Sequence, residues 1–211
     1  MALSPSLPYL KPRVDERHAA SGTDEAQLIA QCQRGDVHAF NLLVERYQRR
    51  VYAVCFRMLG DADADDATQE VFLAAFRSIR CYQGGSFIGW LLRITSNKCL
   101  DYLRARSRRP SVSLDAPVDD ADRSPFQLRD PGESPDQRVL RAELAHSLML
   151  TLQELPASQR LAVVLSDIQG YSYEDIMAAT GWPAGTVKSR LSRARVRLRE
   201  IIRTRSLDLH G

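Results

Sequence analysis

The chain has 211 residues, 44% of them hydrophobic and 26% charged, and a formal net charge of +3, a composition that excludes collagen-like and wholly disordered chains. At about 100 to 200 residues per domain it holds one medium domain or two small ones. No apolar run approaches the roughly 20 residues of a membrane helix, and the opening MALSPSLPYLKPR has three prolines and no apolar middle section, so a secretory signal is not expected and an intracellular address is.

Proline placement gives the organisation, because proline is excluded from helix interiors and tolerated in linkers and at helix starts. Three of the ten prolines lie in residues 1 to 12, five lie in residues 110 to 135, and Pro156 and Pro183 each precede a long helix-compatible run. The Pro-, Ser- and Asp-rich stretch from Arg109 to Gln137 has almost no apolar periodicity and reads as a linker.

In the first half, Val37, Phe40, Val44, Tyr47, Val51, Val54 and Met58 recur at alternating intervals of 3 and 4, one face of an α-helix that Asp36 caps and Gly60 ends. A second helix is expected from about Asp63 to Arg80, with Asp61, Asp63, Asp65 and Asp66 at its positive end and Arg77 and Arg80 at the other. Two shorter helices follow Gly84-Gly85 and reach Arg109. The second half reads as four helices, near 136–154, 157–168, 172–179 and 184–203. No strand pattern is present, so the fold class is all-α, in two small helical domains joined by a flexible linker.

The four cysteines, Cys32, Cys55, Cys81 and Cys99, form no CxxC pair, so neither a zinc site nor a redox motif is expected, and three of them sit in stretches where a buried, inert thiol is the ordinary reading. The acidic run DADADDATQE matches the first calcium-loop positions at Asp61, Asp63 and Asp65. It fails where the loop needs Gly and Glu, because Asp66 and Phe72 stand there. No metal or cofactor is expected. Nor does any nucleophile, acid–base pair or phosphate-cradling loop stand out, so no enzymatic chemistry is expected.

The C-terminal stretch has the layout of a helix-turn-helix: a short helix, a tight connection at Gly181-Trp182-Pro183 and a longer basic helix. Val187, Leu191, Ala194, Leu198 and Ile201 form its core stripe. Lys188, Ser189, Ser192, Arg193, Val196 and Arg199 then face away, and Arg190, Arg195 and Arg197 flank the stripe. Outward residues near the helix start reach base edges, and flanking arginines suit phosphates. Eight cations from Pro183 to Arg205 stand against the single acid Glu200, a density that like-charge repulsion disfavours unless a polyanion relieves it. DNA binding is the reading.

Residues 82–109 carry Arg93, Lys98, Arg104, Arg106, Arg108 and Arg109 against Asp101, interleaved with Tyr82, Phe87, Trp90 and Tyr102. Cations that hold a backbone and rings that stack on bases are what single-stranded nucleic acid requires. Trp90, between Ile88 and Leu91, also reads as core.

The series DADDATQEVFLAAFRSI, FIGWLLRITSNKCLDYLR and ELPASQRLAVVLSDIQGYSYEDIMAATGWPAGTVKSRLSRARVRLRE resembles the extracytoplasmic-function branch of the bacterial sigma factors, in the family's order, from about residue 23 to 205. The resemblance implies a disordered extension (1–22), a region-two domain (23–109), a linker (110–136), a region-four helix-turn-helix domain (137–205) and a tail (206–211). It implies binding to core RNA polymerase through Asp66, Gln69 and Glu70. It further implies capture of the minus-ten strand by Tyr82, Phe87, Trp90, Asn97, Lys98, Arg104 and Arg106, with Asn97 in the segment that takes a flipped base. Reading of the minus-thirty-five duplex falls to Lys188, Ser189, Arg190, Ser192, Arg193, Arg195 and Arg197. Promoter DNA, core polymerase and an anti-sigma protein are the partners implied, with no membrane insertion and a cytoplasmic location. The alternative is a dimeric helix-turn-helix regulator of duplex DNA, which has no need of the aromatic and basic content of residues 82–109.

Overall fold

The structure, a computed structural model, describes residues 22–108 and 135–208; the expected N-terminal extension and nearly all of the linker lie outside the described residues. Among the described residues there are eight α-helices and no strand, as the all-α reading expects.

The first helix, α1 (Gly22–Gln33), was not anticipated from the pattern; it buries Leu28, Ile29 and Cys32, too short a stripe to stand out. Asp36 then opens α2 (Val37–Leu59), its carboxylate accepting from the amides of His38 at 2.9 Å and Ala39 at 3.2 Å. The expected stripe is buried from Phe40 through Met58 apart from the half-buried Val44, while Val37 in the first turn is exposed. Gly60, at a φ of 89°, turns the chain at once into α3 (Asp61–Ser78), so that helix starts at Asp61 rather than Asp63.

A 3-10 turn (Ile79–Cys81) leads to Gly84-Gly85 and then to a single helix, α4 (Phe87–Arg108), where two were expected. Thr95 and Ser96, which weaken a helical pattern, are absorbed in its buried face. The Thr95 hydroxyl donates to the Leu91 carbonyl one turn back at 2.9 Å, leaving the ladder unbroken. Cys32, Cys55 and Cys99 are buried free thiols and Cys81 is exposed.

The second half comprises α5 (Pro135–Gln153), α6 (Ala157–Val163), α7 (Tyr173–Thr180) and α8 (Ala184–Asp208), the last running past the expected end near 203. Helix α6 continues into a wider π turn, Val164–Ile168. A capping box between Ser172 and Asp175 starts α7, and Gly181 in the left-handed conformation ends it. Val187, Leu191 and Ala194 of α8 are fully buried, as the stripe predicts.

One apolar cluster runs from Leu28 to Ala194 across both halves, with α4 packed on α7 and the end of α2 against α5 and α6. Arg160 of α6, 7% exposed, crosses this boundary. Its guanidinium donates to the carbonyls of Met58 at 2.5 Å, Gln153 at 2.6 Å and Leu155 at 3.3 Å. Burial, and then the charge of Arg106, lowers its pKa from the ordinary value. Among the described residues no helix is long and apolar enough to cross a membrane.

Candidate nucleic-acid interface

Two of the contacts that hold helix α8 use arginines that the sequence assigns to phosphates. The Arg190 guanidinium lies 3.8 Å from the centroid of the Trp182 ring, and its half-buried position lowers its pKa from the ordinary value, with Arg193 adding to that. Arg195 makes a two-pronged pair with Asp167 of the π turn, Nε to Oδ2 at 2.9 Å and Nη2 to Oδ1 at 2.6 Å, which raises its pKa. Ser189 is half-buried and donates to the Thr186 carbonyl at 3.1 Å. Ser189, Arg190 and Arg195 are therefore engaged within the domain.

Lys188, Ser192, Arg193 and Arg197 are exposed. The last three line an open cleft with Val196, Glu200 and Gln159 of α6, whose Oε1 has no hydrogen-bond partner. Gln159 carries no sequence signal of its own; only the packing of α6 on α8 brings it there.

The residues assigned to the minus-ten strand divide into three groups. Tyr82, Phe87 and Trp90 form a ring cluster with centroids 5.4 to 5.7 Å apart, and Tyr47 lies 5.4 Å from Phe87 on another side. Phe87 is 2% exposed, its ring enclosed by those of Tyr47, Tyr82 and Trp90. Tyr82 and Trp90 are half-buried, the tyrosine fixed by its hydroxyl donating to the Gly85 carbonyl at 2.6 Å. The Ser86 hydroxyl accepts from the Gly89 amide at 3.2 Å and so starts α4 beside this cluster.

At 100° per residue, Arg93, Asn97, Arg104 and Arg108 fall within about 60° of one another on α4, and all four are exposed. This stripe is an amide flanked by cations. Arg93 and Arg108 complete it by steps of four from Asn97 and Arg104, a spacing readable in the sequence. Lys98, Tyr102 and Arg106 instead face α3. Lys98 Nζ lies 3.0 Å from Glu70, the Tyr102 hydroxyl donates to Glu70 at 2.9 Å, and Arg106 pairs with Asp63 at 3.9 Å. The Lys98 and Tyr102 donors hold the Glu70 carboxyl below its ordinary pKa; burial, then the Glu70 bond, pushes the Tyr102 phenol up to about 12.

Glu70 is thus turned toward α4, while Asp66 and Gln69 are exposed. They continue at intervals of 3 and 4 into Leu73 and Phe76, which are 54% and 40% exposed, and Phe76 packs edge-on against Phe40 at 5.0 Å. The outward face of α3 thus carries two exposed apolar side chains in line with two exposed polar ones.

A capped helix-turn-helix whose second helix presents serine and arginines, joined to a helical half with a cationic amide-bearing stripe, defines a two-part DNA-binding protein. The family model described as Sigma-70 region 2 matches residues 43–109, and that described as Sigma-70 region 4 matches residues 145–198. The chain is 41% identical to the RNA polymerase sigma-H factor of Pseudomonas aeruginosa, over 81% of this chain and 90% of that one. It is 39% identical to the ECF RNA polymerase sigma-E factor of Escherichia coli, over 82% and 91%. Among solved structures it is similar to CnrH in complex with the cytosolic domain of CnrY, with a TM-score of 0.60 and 28% identity over 85% of this chain and 97% of that one. It is also similar to RpoE in complex with the anti-sigma factor NepR from Bartonella quintana, with a TM-score of 0.56 and 26% identity over 78% and 96%. The chain belongs to the extracytoplasmic-function sigma factors, and it directs core RNA polymerase to promoters.

Proposed function

We propose that residues 23–109 grip core polymerase and capture the unpaired minus-ten strand, that residues 137–205 read the minus-thirty-five duplex, and that residues 110–136 link the two. The observation that carries this reading is the exposed Asn97 amide between Arg93 and Arg104 on α4. An amide offers a donor and an acceptor to a base edge, the cations hold the backbone, and a base is free to use both only after leaving the duplex. The protein contributes binding and no catalysis of its own, and it works in the cytoplasm, with the polymerase. The likeness to sigma factors solved with NepR and CnrY supports an anti-sigma protein as a further partner.

The packed arrangement of the two halves does not serve both promoter elements at once. Elements about 25 base pairs apart are roughly 85 Å apart at 3.4 Å per pair, whereas a compact chain of this length has a radius of gyration of about 17 Å. The 26 residues between Arg108 and Pro135 reach about 90 Å when fully extended. Engagement of both elements therefore separates α4 from α7.

On α3, the polymerase-facing set is Asp66, Gln69, Leu73 and Phe76, with Glu70 as a neighbour that serves α4. Replacing Asp66, Gln69 and Leu73 together with alanine should weaken core binding about tenfold or more, since centrally placed contacts carry most of an interface's affinity, and should leave the helical content unchanged. A titration of labelled protein with core enzyme measures this; unchanged affinity would remove α3 from the interface.

On α8, Arg193→Ala should cost about 1–3 kcal/mol and relax preference at one base pair, while Arg197→Ala should weaken all sequences alike and lower the salt slope by about one unit. Binding to a library of minus-thirty-five duplexes separates the two; identical preference profiles would contradict this division.

A further inference from the structure

Arg195 and Asp167 lie 28 residues apart, on different helices of the second half, yet their side chains meet through both prongs of the guanidinium. The acid is delivered by an irregularity. In the π turn the Gln169 amide donates to the Val164 carbonyl at 3.0 Å, five residues back, which inserts one extra residue into the turn. Val164, Leu165 and Ile168 stay in the core while Asp167 emerges toward α8. Tyr173, the first residue of α7, adds to the effect of Asp167 in raising the pKa of the same guanidinium, so Arg195 sits where the end of α6, the start of α7 and the middle of α8 come together.

As a stabilising device this junction is weak. Both partners are partly exposed, 45% and 32%, and exposed ion pairs contribute little. As an orienting device it is strong, because a planar fork on a carboxylate fixes direction as well as distance. Ser192 and Arg193 stand three and two residues before Arg195 on the same helix. With helix side chains reaching about 5–6 Å from the axis, a 20° rotation of α8 carries their tips about 2 Å, beyond the range in which a hydrogen bond to a base survives.

We propose that Arg195 is a positioning residue rather than a phosphate contact, and that Asp167, through the two-pronged pair, sets the rotation at which α8 presents Ser192 and Arg193 to the minus-thirty-five bases. This rests on the minus-thirty-five reading above. A guanidinium already matched to a carboxylate releases no counterion from DNA.

The test uses holoenzyme reconstituted from core polymerase and the full chain, with preferred and scrambled minus-thirty-five duplexes, at several salt concentrations. Arg195→Ala should leave the salt slope unchanged and reduce the preferred-to-scrambled affinity ratio fivefold or more. Arg195→Lys should lose the same ratio, since a point charge cannot reproduce the fork. Asp167→Asn should lose it too, yet steepen the slope by about 0.9, because the freed guanidinium now meets phosphate. If Arg195→Ala lowers the slope by about one and keeps the ratio, or if Arg195→Lys restores binding in full, Arg195 is a phosphate contact and the proposal is wrong. If the wild-type holoenzyme itself shows no preference between the duplexes, the minus-thirty-five reading falls and this inference with it.

Discussion

Arg160→Ala is expected to cost the free protein about 3–5 kcal/mol and to lower its melting midpoint by about 10 °C, at 2–4 °C per kcal/mol for a chain of this size. The guanidinium serves the carbonyls of Met58, at the end of α2, and of Gln153 and Leu155, at and just past the end of α5. Carbonyls at helix ends have no partner within the helix, and a cation there also meets the negative pole of the dipole. Truncation leaves all three unpaired in a site the side chain fills to 7% exposure. Lysine keeps the charge and recovers only part of the loss, because one ammonium cannot follow the fork's geometry. Met58 belongs to one half and the other two carbonyls to the second, so the loss falls on their junction. The variant should show a radius of gyration above the roughly 17 Å of a compact chain while its holoenzyme keeps promoter activity. An unchanged melting midpoint and scattering profile would contradict the role given to Arg160.

Asn97→Ala should reduce run-off transcription from a duplex promoter about tenfold or more and flatten base preference at one minus-ten position, because a bidentate amide–base pair discriminates by about 1–3 kcal/mol. Asn97 is exposed, so its truncation should leave the melting midpoint near that of the wild type. Binding of the minus-thirty-five duplex should be unaffected, since that surface lies on α8 and α6. Asn97 is well inside α4, ten residues past its first position, so a capping role does not compete with this reading. Transcription with unaltered minus-ten preference would withdraw the base-capture role.

Most helices were legible because their apolar residues keep strict helical spacing: Phe40 to Met58 in α2 and Val187 to Ala194 in α8 are buried where the pattern puts them. Helix α1 was missed because its stripe is only Leu28, Ile29 and Cys32, and α4 was divided because the polar Thr95 and Ser96 look like a break, whereas both are buried in its inner face and the Thr95 hydroxyl bonds back along the helix. The site was legible by residue type and less so by direction. Periodicity places Lys188, Ser192 and Arg193 outward, but it cannot show that Arg195 meets Asp167, that Glu70 meets Lys98, or that Phe87 sits inside a ring cluster. The first two are contacts between elements distant in the chain, and the ring cluster is closed on Phe87 by Tyr47 of α2. Leu73 and Phe76 were readable, since they extend the interval of Asp66 and Gln69, yet an apolar residue on an amphipathic helix reads first as core.

Run-off transcription combined with permanganate footprinting, using purified core polymerase, this chain and a promoter library, tests most directly that one chain reads duplex at one end and unpaired strand at the other. The account predicts initiation from a defined subset of promoters only when the chain is present, with reactive thymines confined to the minus-ten region and lost in Asn97→Ala. Initiation without sequence preference, or promoter binding by the chain alone as a dimer with no reactive thymines and no effect on core polymerase, would contradict it.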